Sequence, residues 1–342
     1  MTALFEVLPA LRERIAHVAL GEWPTRLSSG AAVLRHAGLA GELWLKRDDL
    51  SSSTYGGNKV RLLEHLLGEA QAQGARRVYA TGATGSNFVL ATALHAPRVG
   101  LVPGAICFPE PLTPEGEASQ RVVAGRTHLL SIAHWSLLPL GSERARREAE
   151  AAGERAAVLS QVSFSAESLF GYVAAGIELG LQLKRKECPV PSAVVLPIGS
   201  SATTAGILAG LSLAKKLGIF SGAPNICAVR IAAWPLSRRG RVLSLAQRAL
   251  SRVAALLSDA RLELGSSELL QLTLVTDQLG RGYPFGTPAG AAARAAFAGA
   301  GLAILDETYS AKAAAHALLP EVLGRGPVLF WCTKSSVPLP EP

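Results

Sequence analysis

The chain has 342 residues, 49% of them apolar and 18% charged, enough for about two domains of ~150 residues with proper cores and too apolar for a disordered chain. Its net charge of +8 comes mostly from scattered arginines, and the densest run, Arg238, Arg239 and Arg241, has no interleaved aromatics. That pattern is a solvated basic surface, with no nucleic-acid partner expected, although a mildly positive field suits anionic ligands. Cys107, Cys188, Cys227 and Cys332 lie far apart, with no CxxC and no clustered histidine, so neither a metal site nor a disulfide framework is expected.

The opening "MTALFEVLPALRERIAHV" carries Glu6, Arg12, Glu13 and Arg14 where a secretory signal needs an unbroken apolar stretch, so a cytoplasmic location is the expectation. Short β-type runs then alternate with helical ones. "ELWLKRD" (42–48) reads as a strand, followed by a polar loop and a helix opening near Asn58. "RRVYATG" (76–82) leads into the helical "NFVLATALHA", and "GAICFPE" (104–110) is a further strand candidate. The Ala/Glu/Arg-rich run at 143–157 is helix-forming and reads as a solvated helix. No charge occurs between Pro191 and Ala214, but Pro197, Gly199, Ser200, Ser201, Thr203 and Thr204 interrupt that run. It therefore reads as a strand, a turn and a buried helix, with no membrane partner. "ICAVRIA" (226–232) and "PVLFWCT" (327–333) complete the strand candidates. Strands alternating with helices of this length predict parallel α/β sheets, with ligand sites in loops at the carboxyl ends of strands.

Three segments could carry chemistry. In "TYGGNKVRLLE", Lys59 stands in the first turn of a helix, where the positive macrodipole disfavours it and lowers its pKa, as burial would. A lowered pKa makes an amine nucleophilic, and Gly56 and Gly57 allow the close backbone approach a cofactor needs. A surface lysine after a turn is the plainer reading of that stretch by itself. In "TGATGSNFVLATALHA", Ser86 or Asn87 is placed to cap a helix, which leaves the other free to face a ligand. In "LPIGSSATTAG", an apolar strand ends in a hydroxyl-rich turn that opens a helix, either as a phosphate site or merely as a tight connection. It has neither the Gly-Lys-Ser/Thr of a P-loop nor a three-glycine dinucleotide fingerprint. A nucleophilic lysine, a phosphate cradle and a polar helix mouth are together the parts needed to hold pyridoxal phosphate (PLP).

"GEWPTRL", "LWLKRDDL", "GGNKVRLLE", "TGATGSN", "GSSATTAG", "RGYPFGTPAG" and "LDETYSAKA" resemble, in order and spacing, the family of D-cysteine desulfhydrase and 1-aminocyclopropane-1-carboxylate (ACC) deaminase. These are fold type II PLP enzymes related to the tryptophan synthase β subunit, and the resemblance covers residues 20–335. It implies an α/β protein of two domains with open parallel sheets and helices on both faces. A large domain (1–61 and 170–342) would hold a smaller inserted one (62–169), with PLP in the cleft and a homodimer as the family expectation. By the same resemblance Lys59 is the Schiff-base lysine and Asn58 its structural neighbour. Asn87 holds the cofactor's phenolic oxygen, and Ser86 lies beside the substrate carboxylate. Gly199, Ser200, Ser201, Ala202, Thr203 and Thr204 form the phosphate loop, and Tyr283 and Tyr309 face the substrate. "GYPFGTP" can also be aligned with Phe285 in place of Tyr283.

Ser310 follows the second tyrosine where the deaminase has glutamate. A serine hydrogen-bonds the pyridine nitrogen without supplying a negative charge, which suits expulsion of a good β-leaving group better than cyclopropane opening. The resemblance thus implies a lyase that takes the α-proton of a small amino acid through Lys59, Tyr283 or Ser86 and expels its β-substituent, giving a 2-oxo acid and ammonia. Ring opening as in ACC deaminase, racemisation, β-replacement and a non-catalytic PLP-binding module are the alternatives. Several positions depart from the family pattern. Gly85 and Phe88 replace Gln and His of "GGxQSNH", "GSSATTAG" replaces "GSGGTxAG", and "SQVSFSA" (160–166) replaces a Gly-rich "PxGGS". In "CTKSS", which replaces "HTGG", Lys334 stands where a glycine is usual.

Overall fold

The computed structural model describes residues 2–160, 165–232, 234–302 and 305–341. The core of "SQVSFSA" lies outside them. Ten strands run in chain order: β1 (Leu27–Ser29), β2 (Leu43–Lys46), β3 (Arg77–Ala83), β4 (Val102–Phe108), β5 (His128–Ser131), β6 (Ala156–Leu159), β7 (Ala193–Ile198), β8 (Asn225–Arg230), β9 (Leu272–Val275) and β10 (Val328–Trp331). They form a six-stranded sheet in the order β1-β2-β10-β7-β8-β9 and a four-stranded sheet in the order β5-β4-β3-β6. All pairings are parallel except β1 with β2, an antiparallel edge that the strand–helix alternation did not announce. Every strand of the smaller sheet comes from residues 77–159.

The large sheet is covered on both faces, as alternate residues show. On β7, Val194 and Leu196 join one apolar cluster while Val195 joins another, and on β10 Leu329 and Trp331 face away from Val328 and Phe330. A two-residue period with apolar side chains at every position is what a sheet sandwiched between helical layers requires. Each such fully buried Val, Leu or Phe contributes about 1.5–3 kcal/mol. The apolar run from Pro191 resolves into β7, a turn at 199–201 and the buried helix Ala202–Lys216. No helix among the described residues is long and apolar enough to cross a membrane.

The run at 143–157 is helical only to Ala151. Gly153 turns the chain with φ +70° and Ala156 opens β6. The helical part is solvated, with Arg144–Glu148 and Arg147–Glu143 paired one turn apart on its surface.

Candidate active site

The carboxyl ends of β3, β7, β8 and β10 converge, and the loops that leave them enclose a cavity of about 310 Å³. The first wall is the mouth of the helix Lys59–Ala72. Gly57 takes φ +99°, and a Cβ there would lie 2.8 Å from the carbonyl oxygen of Thr333, while one on Gly56 would lie 2.2 Å from that of Asp49. The two glycines are therefore required by close approach of the chain to itself. Asn58 N–H donates to Thr333 O at 3.0 Å, and Gly57 bridges Lys334, so β10's exit is stitched to the mouth of this helix.

Lys59 is the first residue of that helix and half-buried, and it lines the cavity. Its Nζ has no partner among the described residues. Burial pulls its pKa from 10.5 down to about 8, so near neutrality an appreciable fraction of the amine is unprotonated.

The helix is held by ions beneath it. Arg61 donates to both oxygens of Asp48 at 2.8 Å, and also to Glu178 Oε1 at 2.9 Å and Oε2 at 3.1 Å. Lys46 donates to Glu178 and, at 2.6 Å, to Gln182 Oε1. Burial pushes Glu178 up, but the two cations outweigh it and hold the carboxyl at about 2. Arg47 pairs with Asp49 at 2.8 Å, and Glu64 accepts from the N–H groups of Leu20 and Gly21 and from the Trp23 indole. The charges of "KRDDL" and those of Arg61 and Glu64 are thus the buried frame that aims Lys59.

The second wall is the turn after β7. Gly199, Ser200, Ser201, Thr203 and Thr204 line the cavity, whereas Ala202, the first helical residue, does not. Ser201 takes the left-handed φ +74° and its hydroxyl donates to Leu236 O at 2.5 Å, which fixes the turn. Asn58 Nδ2 donates to Thr203 Oγ1 at 2.9 Å and so ties the first wall to the second.

The third wall is the mouth of the helix Asn87–His95. Ser86 occupies the capping position but makes no capping bond, and both it and Asn87 line the cavity. Asn87 Oδ1 accepts from Tyr55 OH at 2.6 Å and from Lys334 Nζ at 3.2 Å. Phe88 lies behind them, fully buried, while Gly85 falls in an adjoining recess.

The last wall carries the tyrosines. Tyr283 and Tyr309 line the cavity edge-to-face, 5.6 Å between centroids, with their hydroxyls hydrogen-bonded to each other. Burial raises both phenols, Tyr309 well above its usual range, so both stay protonated at neutral pH. Phe285 is 41% exposed beneath the Arg281 guanidinium, so Tyr283 holds the cavity position. Asp306 accepts from Tyr309 N–H at 2.6 Å and Ser310 N–H at 3.1 Å and so sets the start of the helix Ser310–Ala317.

Two enclosed hydroxyls have no partner among the described residues: Thr204 Oγ1, on a residue that lines this cavity, and Ser310 Oγ, on a residue that follows Tyr309 but is not itself part of the lining. A buried hydroxyl left unpaired costs about 1–3 kcal/mol, a cost that a ligand atom in this cavity would remove for Thr204. Thr204 stands in the first turn of a helix, where a phosphate is favoured, and Ser310 is enclosed just behind Tyr309, where a neutral hydroxyl suits an aromatic nitrogen. With an amine of lowered pKa opposite, the donor set fits pyridoxal phosphate.

The model of one enzyme family matches residues 18–333, that of the pyridoxal-phosphate-dependent enzymes. The chain belongs to this family. It is 34% identical over 304 residues to nocardicin C-9' epimerase of Nocardia uniformis subsp. tsuyamanensis, covering 85% of this chain and 86% of the relative. It is 28% identical to D-cysteine desulfhydrase of Serratia proteamaculans with the same coverage. The crystal structure of an ACC deaminase homologue superposes with a TM-score of 0.76 at 22% identity, over 97% of this chain and 94% of that one. Fold and cofactor of this PLP enzyme are therefore those the sequence motifs implied. Sequence reasoning missed Tyr55, Glu110 and Asp306. Glu110 and Asp306 line the cavity, and Tyr55 reaches it only through Asn87.

Proposed function

We propose that this PLP enzyme is a lyase that removes the α-proton of a small amino acid and expels its β-substituent, giving a 2-oxo acid and ammonia. The observation that carries this reading is Lys59, an unpaired amine with a pKa of about 8, in one cavity with a hydroxyl-rich helix mouth and a tyrosine pair. When bound, the cofactor supplies an electron sink for the pair left at the α-carbon. Gly199, Ser200, Ser201, Thr203 and Thr204 would hold its phosphate, Asn87 its phenolic oxygen and Ser310 its ring nitrogen, with Asn58 bracing the loop through Thr203. Lys59 Nζ is the group that would hold the cofactor in the resting enzyme, and as a free amine it would take the substrate's α-proton. As the Cα–H pair moves into a Cα–Cβ double bond, the Cβ–X bond breaks and X leaves with both electrons. The protonated Tyr283–Tyr309 pair donates towards the leaving group, and Ser86 orients the substrate carboxylate. The released enamine takes up a proton at Cβ and hydrolyses. Ser310 adds no negative charge beside the ring, which favours this outcome over cyclopropane opening.

Epimerisation at the α-carbon is the second reading. It is supported by the relative at 34% identity that is named as an epimerase, and by Lys334, a second lysine on the same cavity. A homodimer in the cytoplasm belongs to the proposal, and light scattering of the purified protein tests the dimer.

The deciding experiment is product analysis with D- and L-amino acids bearing β-leaving groups, with ACC alongside. Ammonia and a 2-oxo acid from a β-substituted substrate support the lyase. Solvent deuterium at an inverted α-carbon without ammonia transfers the assignment to epimerisation, and a 2-oxo acid from ACC transfers it to ring opening.

A further inference from the structure

Lys334 follows β10 where the family pattern has glycine. Its backbone bridges Gly57, two residues before Lys59, and its half-buried side chain runs along the cavity to Asn87. The ammonium lies over the Tyr55 ring, 5.9 Å from its centroid, and donates to Asn87 Oδ1 at 3.2 Å. Tyr55 OH meets the same oxygen at 2.6 Å, and Tyr55 is held by His95 Nε2 on its carbonyl at 2.8 Å. The hydrogen-bonding capacities of these groups differ. A phenol can donate or accept, so Tyr55 tolerates either face of the Asn87 amide, whereas an ammonium has donors only and admits only the oxygen. Among the described residues, Lys334 is therefore the partner that decides which way the amide points.

We propose that Lys334 is a positioning residue for the cofactor. It locks Asn87 with its NH2 turned to the cavity, and it places a fixed positive charge beside the anionic oxygen that this NH2 holds. The inference rests on the PLP reading above and concerns a residue that the glycine pattern lacks. The charged and titratable groups facing Lys334 are Tyr55, Asp306 and Glu115, with Glu110, Tyr283, Tyr309 and Lys59 on the same cavity walls. Burial pulls the Lys334 ammonium down, but Tyr55, Asp306 and Glu115 outweigh it and raise its pKa, so it is charged across the neutral range. A fixed cation disfavours a second positive charge nearby and stabilises a phenolate. Both effects lower the pH at which the bound chromophore loses its proton.

The test is a spectrophotometric pH titration of the visible band of the PLP-loaded protein, together with thermal melts, for the wild type and for Lys334→Met, Lys334→Gln, Lys334→Gly, Lys334→Arg and Tyr55→Phe. The midpoint should rise by about one pH unit or more in the Met, Gln and Gly variants, through loss of a nearby charge. It should stay near the wild-type value in the Arg variant, which keeps the cation, and in Tyr55→Phe, because Lys334 still orients the amide. An unshifted midpoint in the neutral variants, or an equal shift in Tyr55→Phe, overturns the proposal. Failure of all three neutral variants to fold or load PLP also overturns it, in favour of a purely structural lysine. A wild type that develops no band overturns the PLP reading itself.

Discussion

Asn58 Nδ2 donates to Thr203 Oγ1 at 2.9 Å, joining residues 145 apart in the chain. The residue beside Lys59 thereby ties that helix mouth to the hydroxyl-rich turn that would hold the cofactor's phosphate. Removing one neutral buried hydrogen bond costs about 1 kcal/mol, more if a partner is orphaned. Asn58→Ala and Thr203→Val should each weaken PLP binding by about tenfold. Fluorescence titration of the apoprotein checks this, and unchanged affinity in both would deny the bond a role in holding the loop.

Glu178 bears on the same frame from below. Its glutamine variant leaves Lys46 without a counter-ion and Arg61 with Asp48 alone, so at pH 7 it should lose about 3–5 kcal/mol of stability. The folded carboxyl titrates at about 2, below its ordinary 4.5. Its contribution is therefore complete above pH 4.5 and is lost as pH falls towards 2. Denaturant melts of the two proteins should converge over that window. A constant gap between them would contradict the ion-pair account.

Lys59 should show the opposite sign. With its pKa at about 8 in the folded apoprotein and 10.5 when unfolded, the unfolded chain binds more protons between those values. Lys59 thus opposes folding below pH 8, and the penalty fades as pH rises to 10.5. Lys59→Met should be the more stable apoprotein at pH 7, with the difference shrinking above pH 8. Equal stabilities at every pH would mean that the lysine is not desolvated.

The tyrosines act as one hydrogen-bonded unit. Tyr283→Phe and Tyr309→Phe should each lower kcat by about 10²–10⁴-fold, the usual worth of a placed proton donor, with smaller changes in KM. The double variant should be little worse than either single one. Multiplicative losses, or losses in KM alone, would assign the pair to binding.

The parts of this molecule that the sequence made legible are those whose signal is local. "SAVVLPI" and "PVLFWCT" are continuous apolar runs, and such runs are central parallel strands, here β7 and β10. β1, β5, β6 and β9 have three or four residues each, too few for a period to show. Lys59, Ser86 and Asn87 stood out through their places at helix mouths. The buried charges of "KRDDL" did not, because Lys46 finds Glu178 132 residues away. Tyr55 carried no signal either, since nothing near it in the chain indicates that its hydroxyl reaches Asn87. Lys334 was visible only as a departure from glycine, and its donation to Asn87 depends on the fold.

The central claim is that Lys59, and not Lys334, carries the cofactor. The direct measurement is borohydride reduction of the PLP-loaded protein followed by peptide mapping. A stable phosphopyridoxyl adduct on Lys59 alone, lost in Lys59→Ala, is the predicted result. An adduct on Lys334, or none on either lysine despite bound PLP, would contradict the account.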